Sequence, residues 1–162
     1  MEHERVGAGC GVMLVKDGTV LLGHRHADPE KAGSELHGEG TWTVPGGKFD
    51  FGDSLTGGAC REVKEETGVE VDPSSLEIVS VSSDRVPDAH FITIGFLATR
   101  WSGPPATPGM PWRAGEPRVM EPDEITEWRW FPLDALPDPM FPPTARIIRN
   151  YLAKRLFVEA DG

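Results

Sequence analysis

The sequence predicts an α/β fold in which helices cover the faces of a sheet. Three observations carry this. Short β-type runs recur along the chain, two segments with helical periodicity stand well apart, and Gly and Pro clusters punctuate the intervals. At 162 residues the chain suits one domain, spanning residues 1–162, with a sizeable core. Hydrophobic content of 38% beside 26% charged residues fits a globular protein and not a disordered one.

The first elements are β-type segments at residues 6–15 and 19–24, joined through Lys16-Asp17-Gly18, whose Asp-Gly pair marks a hairpin turn. Residues 28–40 are rich in Gly, Glu and Lys without a period, which predicts an exposed loop or a frayed turn. A short strand over 41–44 follows and is ended by Pro45-Gly46-Gly47. A helix is expected over Leu55–Thr67. Ser54 suits its N-cap, because the hydroxyl can accept an orphan backbone N–H, and Gly68 suits the left-handed position that stops it.

Residues 76–86 and 90–100 are two further strands turning at Val86-Pro87-Asp88-Ala89. In the second, His90, Ile92, Ile94 and Phe96 alternate with Phe91, Thr93 and Leu97. From 102 to 121 prolines alternate with glycines, which predicts a long surface loop. A last strand at 127–131 precedes a helix opened by Pro142-Pro143-Thr144, with Ile147, Ile148, Tyr151, Leu152 and Leu156 as its apolar positions.

The formal charge of −10 argues against a nucleic-acid duplex or an anionic membrane as partner. An anionic small molecule must then be received by a local device. Cys10 and Cys60 lie far apart without CxxC spacing, so neither a disulfide framework nor a zinc site is expected. The N-terminus lacks the apolar core of a signal peptide, and no run approaches ~18 apolar residues. The expected location is the cytoplasm.

That device is legible behind the glycine-rich turn. On the predicted helix Glu62, Glu65 and Glu66 fall at i, i+3 and i+4 on one face, with Ala59, Val63 and Thr67 on a neighbouring face. Most acidic runs are solvated helix faces, yet like charges at this spacing repel by ~0.2–0.5 kcal/mol per pair. A cation among them relieves the repulsion, and hard oxygen ligands select Mg²⁺, Mn²⁺ or Ca²⁺.

The stretch from Gly47 to Val69 resembles the Nudix box: Gly47, Asp53, then Arg61-Glu62-Val63, Glu65-Glu66 and Gly68-Val69. Every position matches except Asp53, where the family pattern has Glu. Weaker similarity runs through Val20-Leu-Leu-Gly-His-Arg25, Trp42-Thr-Val-Pro45 and Trp128-Arg-Trp130-Phe131-Pro132. The resemblance implies an α/β/α sandwich with a mixed sheet and a loop–helix–loop metal site. It further implies metal-dependent hydrolysis of a nucleoside diphosphate-linked substrate by a Nudix pyrophosphohydrolase.

By the same resemblance Glu62, Glu65 and Glu66, with the Gly47 carbonyl, hold Mg²⁺, for which Mn²⁺ can substitute. Arg61 holds the glutamates in place, and Glu65 or Glu66 takes the proton of the attacking water. Arg25 is a candidate for the substrate phosphate, against the alternative of an exposed strand-end charge. Glu121 or Glu124 is a candidate catalytic base from outside the box, and Glu121 a candidate substrate contact, against the commoner alternative of a solvated loop acid. Trp42, Phe91 and Trp112 are aromatic candidates for stacking on a base. Among substrates, overall similarity to MutT-like members favours a nucleoside triphosphate cleaved to monophosphate and pyrophosphate. ADP-ribose or a nucleotide sugar is the alternative, and a non-catalytic binding module is the second. A small-molecule nucleotide is the expected partner, and a homodimer is left open.

Overall fold

The computed structural model describes residues 4–103 and 116–158. Its strands are β1 (Val6–Lys16), β2 (Thr19–Arg25), β3 (Trp42–Thr43), β4 (Gly46–Lys48), β5 (Glu70–Val71), β6 (Glu77–Val86), β7 (Ala89–Ala98), β8 (Trp101–Ser102) and β9 (Ile125–Pro132). The helices are α1 (Pro29–Ala32), α2 (Leu55–Thr67) and α3 (Pro142–Ala153).

β1 organises the sheet. It runs parallel to β7 from Val6↔His90 to Leu14↔Ala98, and its other edge takes β4 first and then β2, both antiparallel. β2 pairs β9 along its length, β3 joins β2, and β6 closes the far side against β7. The sheet is therefore mixed, as expected. The β1–β2 hairpin turns at Asp17 and Gly18, both with positive φ, as a two-residue Asp-Gly turn requires.

Alternation along β1 decides the layers. Cys10, Val12 and Leu14 point to the face that packs Ala59 and Val63 of α2. Met13 points to the opposite face, with Ile147 and Ile148 of α3. Each helix thus seals one apolar face.

The capping of α2 follows the sequence. Ser54 Oγ accepts the Gly57 N–H at 3.0 Å, and Gly68 adopts φ 77°. Ser54→Ala is expected to cost about 1 kcal/mol, read as a lower denaturant midpoint with an unchanged slope.

Several expectations need correction. Gly46–Lys48 does not merely end a strand but forms β4, because Cys10 and Gly11 of β1 offer it a free edge. The loop over 28–40 contains the short helix α1, capped by the Asp28 carboxylate accepting from Glu30 N–H at 3.0 Å. β5 and β8 pair with each other, a two-residue ribbon too short to leave a periodic signal. On α3, Leu152 is 54% exposed and Leu156 lies beyond the helix end. Thr144 and Asn150 take the buried positions instead: Thr144 Oγ1 accepts from Val44 N–H at 3.2 Å, and Asn150 Nδ2 donates to Ser80 Oγ at 2.9 Å. Most of the proline-rich loop predicted over 102–121 lies outside the described residues. Among the described residues no helix is long and apolar enough to cross a membrane.

Candidate active site

Burying Val63 and Thr67 of α2 leaves Arg61, Glu62, Glu65 and Glu66 facing β4 and the loop before the helix. Two contacts fix that rotation. Trp128 Nε1 of β9 donates to the Glu66 carbonyl at 3.2 Å, and the Gly46 N–H of β4 donates to Glu66 Oε2 at 3.2 Å. The acids thereby border a cleft of about 380 Å³, floored by Gly9, Gly11 and Thr93 of β1 and β7.

The β4 glycines are demanded by close approach. A Cβ on Gly47 would lie 2.6 Å from Glu62 Oε2, so the backbone and that carboxylate share a space that a side chain could enter only by moving Glu62 aside. Glu62 is accordingly well covered, its side chain 14% exposed, whereas Glu65 is 52% exposed and Glu66 is half-buried.

Arg61 is the organiser. Its Nη1 contacts Glu62 Oε1 at 3.1 Å and Glu65 Oε1 at 3.3 Å, while Nη2 contacts Asp53 Oδ2 at 2.9 Å and Asp50 Oδ2 at 3.3 Å. Asp53, the one departure from the box pattern, is therefore a tether: Oδ2 also accepts the Asp50 N–H at 2.7 Å. That backbone donor, followed by Arg61, holds the Asp53 carboxyl below its ordinary range. Asp50 shares the guanidinium. Its proximity signal was absent from the sequence because it depends on how the loop closes.

Electrostatics across the cleft run the other way. Burial raises the proton affinity of Glu66 well above the ordinary carboxylate value, partly countered by the Gly46 N–H, with Glu62, Glu121 and Glu124 adding repulsion. Burial likewise raises Glu62, against the pull of Arg61, and raises Glu121, where Glu124 and Glu65 add to it. A half-buried carboxylate ringed by acids calls for a cation, and the donor set is hard oxygen throughout, which fits Mg²⁺ or Mn²⁺. As the side chains stand, no three acidic, His or Cys groups among the described residues converge closely enough to hold one ion. Arg61 has drawn Glu62 and Glu65 to itself, so sharing an ion requires them to re-aim.

A pH dependence follows. Carboxyls that hold protons more tightly folded than unfolded favour the folded state at low pH, and that contribution is lost as pH rises through the raised values. The metal-free protein is expected to lose thermal stability as pH climbs from about 4.5 toward neutrality. Added Mg²⁺ is expected to restore it, with a gain in Tm that grows with pH. A gain independent of pH would separate the metal from these acids.

Arg25 lines the cleft but is not an exposed strand-end charge. It is 8% exposed, its Nη2 donates to the Ala32 carbonyl at 3.1 Å, and its guanidinium lies 4.5 Å over the Phe141 ring. Burial lowers its proton affinity, with Glu66 and Glu124 opposing. Glu121 and Glu124 both reach the cleft wall. Phe91 lines it too, whereas Trp42 is core: buried, stacked on His24 at 4.4 Å and edge-on to Phe131 at 4.9 Å. Trp112 lies outside the described residues. Cys10 touches the cleft, but burial pushes its thiol up to about 12, so it is no nucleophile at neutral pH.

A mixed sheet covered on both faces carries an Arg-organised acidic helix beside Gly46 and Gly47 of β4, an arrangement suited to a metal-assisted phosphoanhydride hydrolase. A NUDIX domain model matches residues 3–151, and the chain belongs to the Nudix family, whose members generally use divalent metals. It is a pyrophosphohydrolase of that family. It is similar to an RNA pyrophosphohydrolase of Novosphingobium aromaticivorans, 30% identical over 151 residues that cover 86% of this chain and 86% of the relative. An ADP-ribose pyrophosphatase of Methanocaldococcus jannaschii is 31% identical over 140 residues, covering 86% of this chain and 69% of that protein. Among solved structures, a MutT NUDIX hydrolase from Burkholderia pseudomallei superposes with a TM-score of 0.74 at 31% identity, over 91% of this chain and 98% of that one.

Proposed function

We propose that the chain, acting as one domain over residues 1–162, hydrolyses nucleoside triphosphates to monophosphate and pyrophosphate, with Mg²⁺ as its working ion and Mn²⁺ able to replace it. The observation that carries this reading is the size of the cleft. About 380 Å³ falls within the ~300–1,000 Å³ common for small-molecule sites, room for a single nucleotide. Likeness to the MutT structure supports the same choice.

In this reading Glu62, Glu65 and Glu66 with the Gly47 carbonyl hold the ion. Bound there, it supplies neutralisation of phosphate charge and a lowered pKa for the attacking water. Arg61 keeps the glutamates from drifting apart and limits their mutual repulsion. Glu66, held in the cleft by the Gly46 N–H, accepts the water's proton, and Glu65 is the alternative acceptor. Arg25 sets a positive potential in the wall toward the phosphates, and Glu121 meets the substrate from the rim.

The relative from Methanocaldococcus jannaschii favours ADP-ribose as a second reading. One experiment separates them. The protein is incubated with Mg²⁺ and, in turn, nucleoside triphosphates, ADP-ribose, nucleotide sugars and a 5′-triphosphorylated RNA, and the products are resolved by ion exchange. Pyrophosphate with monophosphate from a free triphosphate is expected. AMP with ribose phosphate would favour the second reading, pyrophosphate from the RNA alone would move the substrate to RNA ends, and no product from any substrate would leave only a binding module.

A further inference from the structure

One wall of the cleft is built unlike the others. Residues 33–36 border it, yet no residue from 33 to 40 is buried, and its apolar contacts are limited to the half-buried Leu36 and to Gly38 against the Phe141 ring. Its two ends are firmly stitched. Ala32 is buried and held by Arg25, the Arg25 N–H donates to the Thr41 carbonyl at 2.8 Å, and the Gly40 N–H donates to the His26 carbonyl at 3.0 Å. Between those ends Gly33, His37, Gly38 and Gly40 all take positive φ, three of them glycines that adopt it without strain.

The tip is tied down by two side-chain contacts, one an ion pair and one a histidine–carboxylate hydrogen bond, that reach other elements. Glu35 Oε2 meets Lys48 Nζ of β4 at 2.9 Å, across the lip of the cleft from the segment itself. His37 Nε2 meets Asp88 Oδ1, in the β6–β7 turn, at 3.1 Å. All four side chains are more than half exposed, between 56% and 66%. Exposed pairs of this kind contribute little each and are readily exchanged for other partners.

We propose that residues 33–40 form a releasable strap beside the cleft, closed by Glu35–Lys48 and His37–Asp88, and that an entering phosphate frees it by replacing Glu35 on Lys48. The chemistry is one of like for like. A carboxylate occupies a lysine at the mouth of a site proposed for polyanions, so a phosphate group, with more charge and more acceptor oxygens, competes for the same ammonium. The anion arm of this inference rests on the nucleotide reading above, whereas the two-pair closure does not.

Hydrogen exchange measured by mass spectrometry on the metal-free protein tests both arms. The reporters are the amides of Leu36 and His37, which donate to Ser34, and of Gly40. In the absence of ligand, Glu35→Gln and Asp88→Asn are each expected to speed exchange there by ~2–5-fold, and the double variant more, with α2 unchanged. Inorganic pyrophosphate is expected to speed exchange at the same amides in the unsubstituted protein and to add nothing in Glu35→Gln. Exchange at these amides that is unaltered by both substitutions would overturn the closure, and pyrophosphate that slows exchange or leaves it unchanged would overturn the release. Failure of the hydrolysis panel with faster exchange in the variants would remove the nucleotide reading and leave the closure standing.

Discussion

Glu66→Gln is expected to lower kcat by ~10³-fold or more while leaving the fold intact and the metal-free protein no less stable. An amide oxygen still accepts the Gly46 N–H that Glu66 Oε2 takes at 3.2 Å, so the local geometry survives. The amide carries no charge for a divalent ion and no basicity for a water proton. Its neutrality also removes the repulsion from Glu62, Glu121 and Glu124 that raises the carboxyl, which is why stability holds or rises. Single-turnover hydrolysis and a melting curve read the two effects separately. Turnover within tenfold of the unsubstituted protein would take Glu66 out of the mechanism and pass the base to Glu65, whose own Gln variant then becomes the decisive one.

Gly46→Ala is expected to be the most destabilising single change at the site, by ~3 kcal/mol or more. The added Cβ would drive into the Cys10 carbonyl oxygen and the Gly11 Cα, both backbone, and all its contacts fall below the 3.0 Å that real Cβ atoms essentially never cross. Neither β1 nor β4 can give way, since β1 is bound along its other edge to β7. At ~2–4 °C per kcal/mol for a chain of this size, the loss appears as a fall in Tm of ~6–12 °C. Gly47→Ala makes a useful contrast. There the clash is with the Glu62 carboxylate, a side chain that can swing aside, so most of the loss is expected in kcat and little in Tm. Equal destabilisation by the two would show that Glu62 is as immovable as the backbone.

The legible part of the site was the part written at helical spacing. Glu62, Glu65 and Glu66 share a face because 3.6 residues make a turn, and Ser54 and Gly68 bound the helix through their own local chemistry. Box positions that matched a family pattern could be read without knowing what surrounds them. Arg25 shows where such reading stops: strand-end placement leaves a phosphate contact and a charge in solvent equally open, and Phe141, more than a hundred residues later in the chain, covers the guanidinium and removes the second. Asp53 shows the same from the other side. It is a methylene shorter than the Glu of the pattern, and the loop brings the Asp50 N–H and the Arg61 guanidinium to it. β4, β5 and β8 escaped because two or three residues cannot display a period.

By itself the sequence determined the α/β class, the hairpin, the capped acidic helix and the charge chemistry of its exposed face, since each follows from contacts a few residues long. Only the tertiary structure decided that Glu66 faces β4, that Gly46 must lack a side chain, that Glu35 meets Lys48, and that His37 meets Asp88, 51 residues later in the chain. The physical reason is that hydrophobic period and capping are local and additive. Burial, close backbone approach and ion-pair choice depend on which distant strands and loops come to lie together.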